Sequence, residues 1–113
     1  MNILIVDDEE RLALRLAERL RIRGFATATA FNGDSALALV KSERYDTIIL
    51  DLRLPDTDGL EVLRQIMLME PGSSVVVISG HASESEFQAC LSLGAKACFQ
   101  KPVKIDDILP VIS

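Results

Sequence analysis

At 113 residues the chain has room for one domain and not two, and 49% hydrophobic content gives that domain a core of ordinary size. A net charge of -5 argues against direct binding to nucleic acid, and the balance of 26% charged residues with few Gly and Pro describes a globular chain rather than a disordered one. No segment resembles a signal peptide and no apolar run approaches membrane-spanning length, so no membrane association is expected and a cytoplasmic setting is. Cys90 and Cys98 lack a metal-binding spacing and read as two reduced, partly buried thiols, with a disulfide the less favoured reading.

The first element is Ile3-Leu4-Ile5-Val6, a β-branched apolar run that ends abruptly in Asp7, Asp8, Glu9 and Glu10. Two carboxylates about 4 Å apart near a surface repel by roughly 4 kcal/mol at an effective dielectric of 20, so a cation is expected among them. Leu12, Leu16 and Leu20, with Ala13 and Ala17 beside them, then predict an amphipathic helix stopped by Gly24. ATATAF (26–31) predicts a second strand, and Asn32-Gly33-Asp34 a turn that opens a helix bearing Ala36, Leu37, Leu39 and Val40.

TIILD (47–51) is a third strand closed by an acid, followed by a Pro/Asp/Gly loop and a helix with Leu60, Leu63, Ile66 and Met67, which PGSS ends. VVVIS (75–79) is the most strand-like run; after GHASES comes a helix with Phe87, Cys90 and Leu91 that stops at Gly94. ACFQK (97–101) and a short helix with Ile105, Ile108, Leu109 and Ile112 complete the series, Pro110 costing that helix a hydrogen bond if turns precede it.

Strands that are continuously apolar and alternate with helices imply a parallel sheet covered on both faces. The fold class is therefore α/β, a doubly wound (βα)5 sheet, with the flavodoxin-like order 2-1-3-4-5 the best fit to right-handed crossovers. Its crevice lies outside the carboxyl ends of strands 1 and 3, where Asp7, Asp8 and Asp51 arrive together with Ser79 from strand 4 and Lys101 from strand 5.

Oxygen ligands of this kind suit Mg²⁺, which takes one or two carboxylates and leaves room for phosphate oxygens. Asp51 at the centre can act as a carboxylate nucleophile forming an acyl phosphate. Lys101 offers the phosphoryl oxygens a point charge and Ser79 a hydroxyl donor. Asp46 lies at the wrong edge of its strand, while turn formation and helix capping account for Asp56 and Asp58. Glu9 and Glu10 read as acids of a helix's first turn, with room for one of them to tune the site.

Asp7-Asp8, DLRLPDTDG (51–59), Ser79-Gly80 and Lys101-Pro102, in that order and at those strand ends, resemble the receiver domain of two-component response regulators over essentially the whole chain. The resemblance implies Asp51 as phosphoacceptor, Asp8 and Asp51 as direct Mg²⁺ ligands, Asp7 acting through water and the Arg53 carbonyl completing the set. It also implies a cis Lys101-Pro102 bond, and a switch in which Ser79 and Phe99 move and reshape helix 4, strand 5 and helix 5. His81 and Arg53 would flank the phosphoryl group.

The partners implied are a sensor histidine kinase or histidine phosphotransfer protein, an output domain outside this chain, transcription regulation being the leading candidate, and a phosphorylation-dependent homodimer. Residues 1–113 are read as one receiver domain, the N-terminal part of a longer regulator, and not as a turnover enzyme. Arg11, Arg15, Arg19 and Arg23 form a basic stripe read first as a solvated face and second as a docking surface for an acidic or phosphorylated partner helix. Two rival readings are a pseudo-receiver that only binds partners and a small Mg²⁺-dependent phosphatase; the latter is disfavoured because Leu60 stands where the DxDxT pattern of haloacid-dehalogenase-type enzymes needs Thr. Neither GxGxxG nor GxxxxGK occurs, which sets nucleotide binding aside.

Overall fold

Ile3, Leu4, Ile5 and Val6 are all but inaccessible to solvent, which a strand achieves only when both faces of its sheet are covered. A computed structural model describes residues 1–112; Ser113, the last residue of the expected domain, lies outside the described residues. The elements run β1 (Asn2–Val6), α1 (Glu10–Ile22), β2 (Ala26–Ala30), α2 (Gly33–Ser42), β3 (Thr47–Asp51), α3 (Gly59–Met69), β4 (Ser74–Ser79), α4 (Glu84–Leu93), β5 (Ala97–Gln100) and α5 (Ile105–Ile112). The strands form one parallel sheet in the order β2-β1-β3-β4-β5, as the sequence predicts.

Alternation along each strand divides the core in two. Leu4, Val6, Ile48, Leu50, Val75 and Val77 pack with Ala36 and Val40 of α2, Val62, Leu63 and Ile66 of α3, and Cys90 of α4. Ile3, Ile5, Ile49, Val76 and Ile78 pack on the other face with Ala13, Ala17 and Leu20 of α1 and Ile108 and Ile112 of α5. Cys90 is buried, and burial pushes its thiol up to about 12; Cys98 is half-buried, and both are free.

Helix ends follow local chemistry. The Asn32 side chain accepts from the Ser35 amide at 2.8 Å to cap α2, Ser83 and Glu86 form a reciprocal capping box on α4, and Gly94 ends α4 at φ 114°, a left-handed value that disfavours a side chain. α5 continues through Pro110 to Ile112 rather than stopping before it.

The leucine stripe of α1 is corrected by the structure. Leu20 is buried but Leu16 is only half-buried and Leu12 is 42% exposed, and the face toward the sheet is Ala13, Ala17 and Leu20. A four-residue step drifts about 40° around a helix of 3.6 residues per turn, so a stripe with that spacing leaves the core within two turns.

The loop after β3 folds back onto its own first residue, Leu52. Gly59 opens α3 against the backbone of Leu52, and a Cβ at Gly59 would overlap Leu52 Cα and its carbonyl, atoms that cannot swing away. Gly59→Ala is expected to destabilise the chain by about 1–3 kcal/mol, the range for overpacking. Gly72→Ala, where the new methyl meets only Arg44 Nη2 at 3.5 Å, serves as control. Thermal denaturation of the two variants measures the difference; equal midpoints would remove the close-approach argument.

Candidate functional site

The carboxyl ends of β1, β3, β4 and β5 form one edge, and the sequence loads that edge with polar groups that are nevertheless buried. Asp7, Asp51 and Ser79 retain 2%, 2% and 1% of their exposure. Asp7 follows β1 and its amide still donates to the Ala30 carbonyl at 3.1 Å, so its backbone is held by the sheet. Asp51 is the last residue of β3, and Asp8, next to Asp7, is exposed.

Carboxylate oxygens of Asp7, Asp8 and Asp51 lie within 4.8 Å of one another, a group that can hold a hard divalent cation. Lys101, just beyond β5, reaches into the same group. Its Nζ donates to Asp51 Oδ2 at 2.8 Å, to Asp7 Oδ2 at 2.9 Å and to Glu9 Oε1 at 3.0 Å. The remaining oxygens of the buried acids take backbone donors: Glu9 N–H to Asp7 Oδ1 at 2.9 Å and Arg53 N–H to Asp51 Oδ1 at 3.0 Å.

One ammonium therefore serves two buried acids and one exposed acid, and the imbalance sets the protonation behaviour. Burial pushes the Asp7 carboxyl up to about 6, and the neighbouring Asp51 charge adds to the rise, against the opposing pull of the Glu9 amide and Lys101. Burial alone would favour loss of the Lys101 proton. Its hydrogen bonds to Asp51, Asp7 and Glu9 outweigh that effect and hold its pKa above the usual lysine range.

Ser79 lies at this edge but outside the ion-paired group. Its Oγ accepts from the His81 amide at 3.4 Å and its carbonyl from the Lys101 amide at 2.9 Å. Lys101-Pro102 is cis. Arg53 contributes its main chain, which pairs with Asp58 in a single antiparallel bridge, while its side chain is exposed, as is that of His81. Phe99 is half-buried against the α1/α5 side of the core.

The competing acids fall where the sequence analysis puts them, with one addition each for Asp56 and Glu9. Asp46 accepts from the Asn2 amide at 2.7 Å, at the opposite edge of the sheet. Asp58 caps its own helix by accepting from the Leu60 amide, but Asp56 caps a different one: its two oxygens take the Gly33 and Asp34 amides of α2 at 2.8 and 3.0 Å. Glu9, read as an acid of a helix's first turn, makes no side-chain cap and instead extends the cluster around Lys101. The run of four acids was the only signal for it, because its partner is 92 residues away.

A groove runs from this edge between α1 and the segment after β5, lined by Leu12, Arg15, Leu16 and Arg19 on one side and Pro102 and Val103 on the other. Arg11, Arg15, Arg19 and Arg23 are all exposed. Among the described residues no helix is long and apolar enough to cross a membrane.

The response regulator receiver domain family model matches residues 3–113. A response regulator receiver protein of Anaeromyxobacter sp. is 38% identical over 106 residues, which cover 94% of this chain and 44% of that protein, so the chain spans about half the length of that relative. Sporulation initiation phosphotransferase F of Bacillus subtilis is 35% identical over 95% of this chain and 86% of its own length. A crystal structure of a response regulator protein from Burkholderia pseudomallei, with a phosphorylated aspartic acid, calcium ion and citrate, is 32% identical with a TM-score of 0.94, over 99% of this chain and 66% of that one. With the family model spanning nearly the whole chain and its strand-edge acids in place, the protein belongs to the receiver domain family of two-component response regulators.

Proposed function

We propose that the chain is a phosphorylation-activated switch that takes a phosphoryl group from a histidine kinase or histidine phosphotransfer protein onto Asp51. The observation that carries the reading is the placement of Asp51: a buried carboxylate beside Asp7 and Asp8, with one oxygen on the Arg53 amide and the other on Lys101 Nζ at 2.8 Å.

In the transfer one Asp51 oxygen bonds to phosphorus while the phosphorus–nitrogen bond of the donor histidine breaks and its electron pair returns to the imidazole. Lys101 passes from the Asp51 carboxylate to the incoming phosphoryl oxygens, keeping its positive charge throughout. The carboxylates of Asp7, Asp8 and Asp51 suit Mg²⁺; Asp8 and Asp51 would hold it directly, Asp7 through water, and the Arg53 carbonyl would complete the protein donors. When bound, Mg²⁺ neutralises charge on the acids and on the phosphoryl oxygens.

Ser79 and Phe99 carry the response. Ser79 can give up the weak His81 contact to donate to a phosphoryl oxygen, and Phe99 repacks beside it, altering the face formed by α4, β5 and α5. That face would address an output domain outside this chain, with transcription regulation the leading candidate, and could also serve a phosphorylation-dependent homodimer. The groove beside α1, with its exposed arginines next to the acids, is the surface suited to the phosphodonor. The kinetics of such a domain are those of a substrate that assists its own phosphorylation and dephosphorylation.

Intact-protein mass spectrometry after incubation with acetyl phosphate tests the reading. One added phosphoryl group is expected in the parent with Mg²⁺ and none without Mg²⁺ or in Asp51→Asn. An adduct that persists in Asp51→Asn would overturn the assignment. If the parent gains none, binding of beryllium fluoride separates a short-lived acyl phosphate from a pseudo-receiver.

The strain on Asp7 gives a pH prediction for the metal-free chain. Its folded-state value of about 6 exceeds the unfolded 3.8, so between those values the folded chain binds a proton that the unfolded chain lacks and stability falls as pH rises. The effect amounts to at most about 3 kcal/mol above pH 6. In EDTA, Asp7→Asn is expected to flatten that decline and to melt above the parent at pH 7.5 but not at pH 4, by the same linkage. Thermal midpoints that run parallel for the two proteins would show that Asp7 is not the group responsible.

A further inference from the structure

We propose that Asp56 is a positioning residue for the site, clipping the β3–α3 loop onto the first turn of α2 and so fixing the backbone that presents the Arg53 carbonyl and holds Asp51. The inference rests on the phosphoacceptor reading of that site.

Asp56 stands three residues after Arg53 in a loop whose other hydrogen bonds are local. Arg53 bonds to Asp51 and pairs with Asp58, and Asp58 caps the helix that follows. Among these, only the Asp56 bonds leave the loop for a third element, and both of its oxygens are used, on the amides of Gly33 and Asp34. Carboxylate bonds to free amides at a helix N-terminus are charge-assisted and favoured by the helix dipole. They depress the Asp56 pKa even though the residue is exposed.

Packing supports the same contact independently. Thr57 sits directly on the α-carbon of Gly33: a Cβ there would strike Thr57 Cγ2 and lie 3.1 Å from Val62 Cγ2 and 3.3 Å from Asp56 Oδ1. Gly33 is buried under the loop, so the loop is seated on α2 by apolar contact as well as by hydrogen bonds. α2 does not depend on Asp56 for its only cap, because Asn32 accepts from the Ser35 amide. The second cap is thus available for a purpose other than helix stability, and the element it steadies carries the Arg53 main chain.

The experiment is a Mg²⁺ titration of the parent, Asp56→Ala, Asp56→Asn and Asn32→Ala, followed through backbone amide resonances, with thermal midpoints measured alongside. Asp56→Ala is expected to weaken Mg²⁺ binding by about tenfold or more, the range for residues that orient ligands. Its labelling by acetyl phosphate should slow at low Mg²⁺ and recover at saturating Mg²⁺. Asp56→Asn, which keeps one acceptor oxygen and folds if the alanine variant does not, should fall between Asp56→Ala and the parent. Asn32→Ala, which removes the other α2 cap, should lower the midpoint and leave the affinity unchanged.

Asp56 variants that bind Mg²⁺ as the parent does, while melting lower as Asn32→Ala does, would reduce Asp56 to a helix cap and overturn the proposal. A parent that shows no Mg²⁺ response would instead overturn the reading of the site, and the positioning role with it.

Discussion

A single ammonium group answers to three carboxylates at the edge of the sheet, and the organisation of the site follows from that shortage of positive charge. Lys101 bonds to Asp7 and Asp51, both nearly inaccessible, and to the exposed Glu9, while Asp8 adds a further charge within 4.8 Å of the buried pair. Removing ions from water is costly, and one cation shared among several acids returns only part of that cost. The acids stay together because their backbones cannot part: Asp7 directly follows β1 and Asp51 ends β3, neighbouring parallel strands whose ladder pairs Val6 with Leu50. The apolar runs beneath them, buried on both faces, supply the stability that the edge consumes.

Strand order turns this edge into a cleft with a defined sequence of groups. The acids come from β1 and β3, which are adjacent, whereas Lys101 follows β5, with β4 between. Adjacent strands are about 4.8 Å apart, so the lysine side chain must cross over the end of β4 to reach Asp51. That end is Ser79. A group inserted between Asp51 and Lys101 would therefore arrive beside the Ser79 hydroxyl, the geometry that the proposed phosphoryl transfer requires of an acid, a hydroxyl and an amine from three strands.

Local physics made most of the fold legible. Runs such as TIILD predict their strand to the residue because a doubly covered strand is apolar throughout, and Gly24, Asn32 and Gly94 mark helix ends by chemistry confined to one turn. Asp7, Asp8, Asp51 and Lys101 were legible for a different reason: topology alone brings the carboxyl ends of parallel strands together. What escaped depends on distance along the helix or across the fold. Leu12 repeats at the spacing of Leu20 and yet lies outside the core, since a step of four does not track 3.6 residues per turn. Glu9 and Asp56 looked like local capping acids, and their partners, Lys101 and the α2 amides, stand 92 and 22 or 23 residues away.

The shortage of positive charge also bears on how the molecule can respond. Charge left uncompensated at the edge would attract a divalent cation, and a ligand that binds only the folded chain stabilises it by mass action. Because Asp51 and Arg53 are already bonded to each other and Gly59 is wedged against Leu52, such a ligand would find the site assembled and spend little on ordering it. A change of charge at Asp51 then has few places to be absorbed. β3 is buried along its whole length and β4 nearly so, whereas no residue of β5 is fully buried and Gln100 is exposed. Ser79 ends the buried strand and Phe99 lies on the more exposed one, paired at Ile78. Rearrangement is cheapest where fewest contacts must be broken, so under the proposed switch a new charge at the edge would be relayed through β5 toward its flanking helices rather than back through the centre of the sheet.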